Sequence, residues 1–305
     1  MRVTSNSFPI DLRQQLSELM EKQSTLQMRA ATGQRIENAS DDPRGMHKVL
    51  GLQNELRTLS QYQKNASLVR EGVEVTYSAM SSLKKTYDRA SELAAAADGA
   101  KSPDVIRTYQ HEVNQLLEQA LQVSNTKHRS VFLFAGTKNT TQPYTVTRDG
   151  EGKITGVAYQ GNDKETRVDV AETSTVSATF SGEGAKGVLK NDKGADFFAH
   201  LISLRDHLGA GDAMSVVTKD LPNLAKDEDN FINHFSNVGA LQSRLETAEA
   251  IAKKRASSLS PLISKEADVD LTDTLVRLNE IQNAYTAALQ TGGTLLSTSL
   301  LDYIR

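Results

Sequence analysis

Leu83-Lys84-Lys85-Thr86-Tyr87-Asp88-Arg89-Ala90-Ser91-Glu92-Leu93-Ala94 closes a stretch that runs without proline from Pro43 to Pro103. Across it the apolar side chains step by three and four: Leu52, Leu56, Leu59, Ala66, Val73, Met80, Leu83, Tyr87, Ala90, Ala94. This is a helical period close to a heptad repeat. It predicts one helix from about Asp42 to Ala97, roughly 80 Å long at 1.5 Å per residue. Ser40-Asp41-Asp42 supplies capping side chains and Pro43 suits the first helical position. Ser102-Pro103 repeats that device ahead of a second amphipathic run, Ile106, Tyr109, Val113, Leu116, Ala120 and Val123. A third run carries Leu221, Leu224, Phe231, Phe235, Val238, Leu241, Leu245, Ala248 and Ala252, preceded by a short helix around Phe197-Phe198-Leu201-Ile202-Leu204. Proline occurs at 9, 43, 103, 143, 222 and 261, and most of these are read as element starts or breaks. The fold class that follows is mainly α: a long antiparallel helical rod.

Glycine concentrates between Gly136 and Gly194, and there the pattern changes. Val131-Phe132-Leu133-Phe134 is a short run of β-formers closed by Gly136. Tyr144 to Thr147, Asp149-Gly150-Glu151-Gly152 and Ile154 to Tyr159 read as a β-hairpin. Thr166 to Val170 and Thr175 to Phe180 are further strand candidates. Residues 144–193 are therefore expected to form a small β-rich outer insert in a helical protein.

The two ends match each other. Leu12, Leu16, Leu19, Gln23, Leu26 and Ala30 take the same three-four steps as Leu271, Leu275, Leu278, Gln282, Tyr285 and Leu289. A single glutamine in each stripe is a pattern that fixes register in coiled coils. Two readings stand: an antiparallel terminal pair with Gln23 facing Gln282, or two surface helices that tolerate a polar residue. From Ile281 to Leu301 there is no charged residue, although Gln, Asn, Thr and Ser are too frequent for a bilayer core. Leu289, Leu296, Leu300 and Leu301 lie there, and an uncharged helix calls for another surface, most simply a second subunit. The candidate interface set is Leu12, Leu16, Leu19, Gln23, Leu26, Leu275, Leu278, Gln282, Tyr285, Leu289, Leu296, Leu300 and Leu301. The chain divides into a terminal assembly domain (1–33 with 268–305), a rod with a β-hairpin (34–143 with 194–267) and the insert (144–193).

Composition narrows the function. The chain has 305 residues, 35 Lys+Arg against 38 Asp+Glu and a formal net charge of −3, which argues against a nucleic-acid partner. Cysteine is absent, which removes disulfides, thiolate metal sites and cysteine nucleophiles. No apolar run approaches eighteen residues, so membrane insertion is not expected. The start Met1-Arg2-Val3-Thr4-Ser5-Asn6 lacks the apolar core of a cleaved signal peptide. His200 and His207 lie seven apart with Asp206 beside the second, a poor match to the i,i+4 spacing of helical metal sites. All six histidines are read as ordinary surface residues. Gly182-Glu183-Gly184-Ala185-Lys186-Gly187 lacks the Gly-Lys-Ser/Thr ending of a phosphate loop and is read as a flexible loop. Asp41-Asp42 and Asp268, Asp270 and Asp273 are helix-start acids suited to capping. No catalytic residue, metal or cofactor is assigned, and the chain is not expected to be an enzyme.

Three segments carry a family resemblance. Ala31-Thr32-Gly33-Gln34-Arg35-Ile36-Glu37-Asn38-Ala39-Ser40-Asp41-Asp42-Pro43 resembles the flagellin-family turn between the outer-tube helix and the rod. Gln119 to Asn125 with Val131-Phe132-Leu133-Phe134-Ala135-Gly136-Thr137 resembles that family's helix end and first hairpin. Asn237-Val238-Gly239-Ala240-Leu241-Gln242-Ser243-Arg244-Leu245-Glu246 resembles its descending rod helix. The resemblance spans about 1–140 and 195–305. Met1-Arg2-Val3-Thr4, Phe134-Ala135-Gly136-Thr137 and Ser299-Leu300-Leu301-Asp302-Tyr303-Ile304-Arg305 are similar to the hook-associated protein 3 (hook–filament junction) branch rather than to filament flagellin. The pair Gly292-Gly293 departs from the pattern and puts the straightness of the last helix in question.

The resemblance implies a structural subunit exported unfolded to the extracellular flagellum. It implies a homo-oligomeric ring between hook and filament, with other hook-associated and filament proteins as neighbours and an export chaperone on the C-terminal helix. The alternative is a flagellin that polymerises into the filament itself. A coiled-coil translocator or adhesin of another secretion apparatus is the rival from a different class.

Overall fold

The structure is a computed structural model that describes residues 7–97 and 101–303; side chains are described for 10–97 and 101–294. The chain is mainly α. Helices α1 (Ser7–Thr32), α2 (Pro43–Ala96) and α3 (Pro103–Ser124) lead into three two-stranded antiparallel sheets. These are β1 (Lys127–His128) with β2 (Val131–Phe132), β3 (Tyr144–Arg148) with β4 (Ile154–Tyr159), and β5 (Arg167–Ala171) with β6 (Ser174–Ser177). Helix α4 (Phe197–Ala210) and the short α5 (Ala213–Ser215) follow, then α6 (Leu221–Ala267) and α7 (Leu271–Tyr303). The chain forms two compact units: a terminal unit, Met1–Thr58 with Arg255–Arg305, and a core unit, Leu59–Lys254.

In the core unit, periodicity became burial. Leu59, Ala66, Val73, Met80, Leu83, Tyr87, Ala90 and Ala94 of α2 are buried, as are Leu224, Phe231, Val238, Leu245 and Ala252 of α6. The two helices run antiparallel. Arg70 faces Glu249 at 3.6 Å, Tyr77 meets Phe235 edge-on at 5.2 Å, and Lys84 reaches Glu228 at 3.1 Å. Of the α3 stripe Val113 and Ala120 are buried and Leu116 is partly buried against the core, while Leu117, outside the predicted stripe, is fully buried.

The β-hairpins belong to the same core. Tyr144, Ile154, Val170, Val176, Val188 and Leu189 are buried in one apolar cluster with residues of α2, α3, α4 and α6. The Tyr144 ring lies 5.1 Å from that of Phe198 on α4. The β3–β4 turn forms as its Asp-Gly-Glu-Gly sequence suggests. Asp149 Oδ1 accepts the N–H groups of Glu151 and Lys153, and Gly152 takes φ +83°.

Pro261 is an exception to the reading of prolines as starts or breaks, whereas Pro222 falls in the first turn of α6. Pro261 lies inside α6 and does not end it. The carbonyl four residues back, that of Ser257, loses its helical donor, but both residues are exposed and water can serve. Pro222 stands just after a π-helical turn, Val216–Asp220, where the Leu221 N–H bonds to the Val216 carbonyl. The wider turn absorbs the missing N–H and the ring without breaking the helical path. The cap at Ser102 also differs. Its hydroxyl makes no capping bond, and its carbonyl takes the N–H groups of Val105 and Ile106, both at 3.1 Å.

Candidate subunit interface

Helices α1 and α7 pair antiparallel within the terminal unit. Gly292 of α7 lies against Leu12 of α1, and residues 18–29 of α1 lie beside 273–281 of α7. On α1 the half-buried positions are Leu12, Leu16, Leu19, Gln23 and Leu26, with Ala30 completing the stripe. On α7 the covered stripe is Thr274, Leu278, Ile281, Tyr285, Ala288 and Gly292, with Gln282 half-buried at its margin. Leu278, Gln282 and Tyr285 coincide with the sequence reading. Leu271, Leu275 and Leu289 do not face α1: they are 50%, 50% and 47% exposed. The face was displaced by one position because close approach selects small residues. A Cβ on Gly292 would come within 2.4 Å of Leu12 Cδ2. Gly292 therefore permits the approach, Gly293 faces open space, and α7 continues through the pair as a helix. The side chains of Leu296, Leu300 and Leu301 lie outside the described residues, as do Met1-Arg2-Val3-Thr4 and the final Ile304-Arg305.

One face of the pair is covered and the other is not. Ile10, Met20 and Met28 of α1 are 63%, 56% and 49% exposed, and Val276 of α7 is 53% exposed beside the three leucines. These exposed apolar side chains have no cover within the single chain.

The segment between α1 and α2 is tied down by a polar clasp that the sequence reading did not find. Gly33 ends α1 in the left-handed region at φ +72°, and its N–H bonds to the Arg29 carbonyl at 2.9 Å. The Arg35 N–H donates to the Ala267 carbonyl at 2.7 Å, and the Val269 N–H to that of Gly33 at 2.9 Å. The Arg35 guanidinium donates to the Glu266 carbonyl at 2.8 Å and to Asp42 Oδ2 at 3.1 Å. Asp42 Oδ1 accepts the Gly45 N–H at 2.9 Å, which caps α2. That N–H bond and the Arg35 side chain hold the Asp42 carboxyl below its ordinary range. Lys48 pairs with Glu266 and lowers that carboxyl as well. Gly45 fits closely here: a Cβ would lie 2.5 Å from Asp42 Oδ2 and 2.6 Å from Ile36 Cδ1, so both side chains would have to shift. At the start of α7, Asp270 caps as expected, accepting the Thr272 N–H at 2.9 Å. The only available signal for the clasp was the local density of Asp, Gly and Arg in the 31–45 segment.

The histidines are not all surface residues. In the core unit His200 Nδ1 lies 2.7 Å from Asp227, and His207 Nδ1 2.7 Å from Asp220; both carboxylates are buried. Burial raises the Asp227 carboxyl above its ordinary range, against the opposing pull of His200. These pairs tie α4 to α6 and the π turn. Among the described residues no group of three His, Asp or Glu is arranged to hold a metal ion, and no helix is long and apolar enough to cross a membrane.

Residues 3–139 match the bacterial flagellin N-terminal helical region. The chain is similar to hook-associated protein 3. It is 26% identical to the Escherichia coli K12 flagellar hook-associated protein 3 over 80% of this chain and 81% of that one. Its identity to the Salmonella typhimurium flagellar hook-associated protein 3 is 23% over 90% of each chain. A Listeria monocytogenes flagellin is 22% identical over 83% of this chain. Among solved structures, FlgL of Bacillus cereus superposes with a TM-score of 0.57 at 20% identity, covering 70% of this chain and 99% of that one. The flagellar junction protein FlgL of Legionella pneumophila gives 0.58 at 14% identity, covering 72% and 99%. These structural likenesses bear on the fold, and they agree with the mainly α class.

Proposed function

We propose that this chain is a structural, non-catalytic subunit of the bacterial flagellum that forms the junction between hook and filament. The observation that carries the reading is the half-covered α1–α7 pair, with Leu271, Leu275, Val276 and Leu289 exposed on α7. It joins a sequence likeness to hook-associated protein 3 that spans most of the chain. In this reading residues 1–33 with 268–305 are the assembly domain, 34–143 with 194–267 the helical middle, and 144–193 the insert. The subunit self-assembles into a homo-oligomeric ring and contacts other hook-associated and filament proteins. It reaches the cell exterior unfolded, with an export chaperone held on α7. Leu12, Leu16, Leu19, Gln23, Leu26, Leu278, Gln282 and Tyr285 set the pair. Leu275 and Leu289, continued by Leu296, Leu300 and Leu301, meet the neighbouring subunit.

The test is Leu289→Asp. Because Leu289 is half exposed in the single chain, the variant keeps its helices and solubility. In an assembled ring the same carboxylate becomes buried without a partner, which costs several kcal/mol. Purified wild-type chain added to exposed hooks restores filament growth, and the variant does not; direct addition bypasses export. Normal junctions built from the variant would remove this face from the subunit contact. The flagellin alternative draws on the likeness to the Listeria protein. Abundance in purified flagella decides it, since a junction protein is scarce and a filament flagellin is the bulk.

A further inference from the structure

The glycine-rich segment 182–187 is not a flexible loop. The Gly187 carbonyl accepts from Asn230 Nδ2 at 3.1 Å and from His234 Nε2 at 3.0 Å, and the Gly187 N–H bonds back to the Gly184 carbonyl at 2.9 Å. Asn230 is buried, and its Nδ2 also reaches the Val188 carbonyl at 2.8 Å. Gly187 has no room for a side chain, because a Cβ would lie 2.0 Å from the Lys190 carbonyl oxygen. The loop is thus fixed against α6 and forms one wall of a groove of about 710 Å³ in the core unit. Strand β6 and the 163–167 segment line it as well, together with the α6 stripe Asn230, Asn233, Asn237, Leu241 and Arg244. That volume is in the range of small-molecule and oligosaccharide sites.

The groove's charge opposes that of the chain. Five cationic side chains line it against two carboxylates, in a protein whose net charge is −3. One of those carboxylates, Glu165, is already engaged by Lys186 at 2.9 Å and approached by Arg167 at 4.0 Å. The Lys164 and Lys193 ammonium groups have no partner among the described residues, and neither do the Asn233 and Asn237 carboxamides. Arg244 donates at 3.4 Å to the Thr175 carbonyl and keeps other N–H groups free to donate. Preorganised walls, unused cations and unused planar amides suit a ligand carrying both carboxylates and hydroxyls. Peptide sites are instead anchored by aromatic or aliphatic side chains in pockets. Here the apolar lining is limited to Val176, Phe180, Ala185 and Leu241.

We propose that this groove binds an acidic oligosaccharide, with Lys164, Lys193 and Arg244 on its carboxylates and Asn233 and Asn237 on its hydroxyls. The probe is fluorescein-labelled hexagalacturonate, followed by polarisation with the full chain. Binding is expected to be displaced by unlabelled hexagalacturonate and not by neutral maltohexaose. The double variant Lys193→Glu/Arg244→Glu should weaken it about tenfold or more. Lys85→Glu, a charge reversal outside the groove, should leave it unchanged. Lys193→Gln/Arg244→Gln gives the same direction should the double reversal disturb folding, which circular dichroism monitors. Asn233→Ala/Asn237→Ala should weaken the saccharide and leave hexaglutamate unaffected. Absence of binding, or an equal loss on Lys85→Glu, overturns the site. Equal affinity for hexaglutamate, insensitive to the asparagine variants, overturns the ligand class in favour of an acidic peptide.

Discussion

His234 shows how one side chain imports a pH dependence into an otherwise ordinary helix. It is mostly buried and its Nε2–H donates to the Gly187 carbonyl at 3.0 Å, and burial lowers its basicity below the ordinary value of 6.5. The hydrogen bond pulls the other way and is the weaker effect. An unfolded chain binds a proton near pH 6.5 that the folded chain resists, so stability rises with pH there and is lost as pH falls below that value. His234→Gln should flatten this limb: urea unfolding of wild type and variant should lie closest near neutrality and separate in acid, where only the wild type loses stability. Parallel profiles would show that the imidazole does not titrate differently on folding. Arg205 is a second informative position. It is 3% exposed, donates Nη1 to the Ile154 carbonyl at 2.6 Å and pairs with Asp206 at 2.6 Å. Arg205→Met keeps much of the packing but leaves that buried carbonyl without its charged donor. The expected loss is about 2 kcal/mol, read as a lower urea midpoint. Neither residue was legible beforehand. A histidine on a helix stripe has the same sequence appearance whether it meets water or a buried carboxylate. The same holds for His200 and His207, whose buried partners Asp227 and Asp220 carry no mark of burial in the sequence.

Helices were the most legible elements, because a three-four stripe specifies which side of a helix leaves water without reference to any partner. The prediction for 42–97 met a helix over Pro43–Ala96, and the apolar positions from Leu59 to Ala94 are buried. Strand pairs were also readable from turn chemistry, as at Asp149 to Gly152. What a stripe cannot specify is how closely two helices approach. On α7 the leucines suggested one face, whereas Thr274, Ala288 and Gly292 occupy the covered one. The clasp between 33–45 and 266–269 was unreadable for a different reason, since it joins segments more than two hundred residues apart through carbonyls that carry no residue code. These differences predict unequal local stability. On α1 the stripe is only half-buried against α7, so opening exposes little apolar surface. Amides of 10–30 and 271–294 should exchange by local opening in the dilute single chain. Those of 66–94, on a fully buried stripe, should exchange only with global unfolding. Equal protection in native-state hydrogen exchange would mean that the pair is stable by itself.

At the scale of the whole molecule, the question is whether residues 144–193 are an appendage that can be exchanged without consequence. Glycine content and short strands suggest a separate insert. The apolar cluster argues otherwise, because Tyr144, Ile154, Val170, Val176, Val188 and Leu189 share a core with α2, α3, α4 and α6. Each buried side chain of this kind contributes about 1.5–3 kcal/mol. Six of them therefore represent about 9–18 kcal/mol, as large as the whole stability of a typical domain. Deletion also removes polar ties: Asn125 Oδ1 would lose the Tyr144 N–H at 3.0 Å, and Arg205 would lose the Ile154 carbonyl. Replacing 144–193 by a short Gly-Ser bridge should therefore unfold the core unit. The expected signs are loss of the cooperative thermal transition, binding of an apolar dye and rapid proteolysis within 59–254. A milder variant locates the cause. Replacing only the exposed turn Gly150-Glu151 with Asn-Gly leaves Tyr144 and Ile154 in place and should keep the transition within a few degrees of wild type. If the full deletion retains a sharp transition, the helices alone close the core and the insert is separable after all.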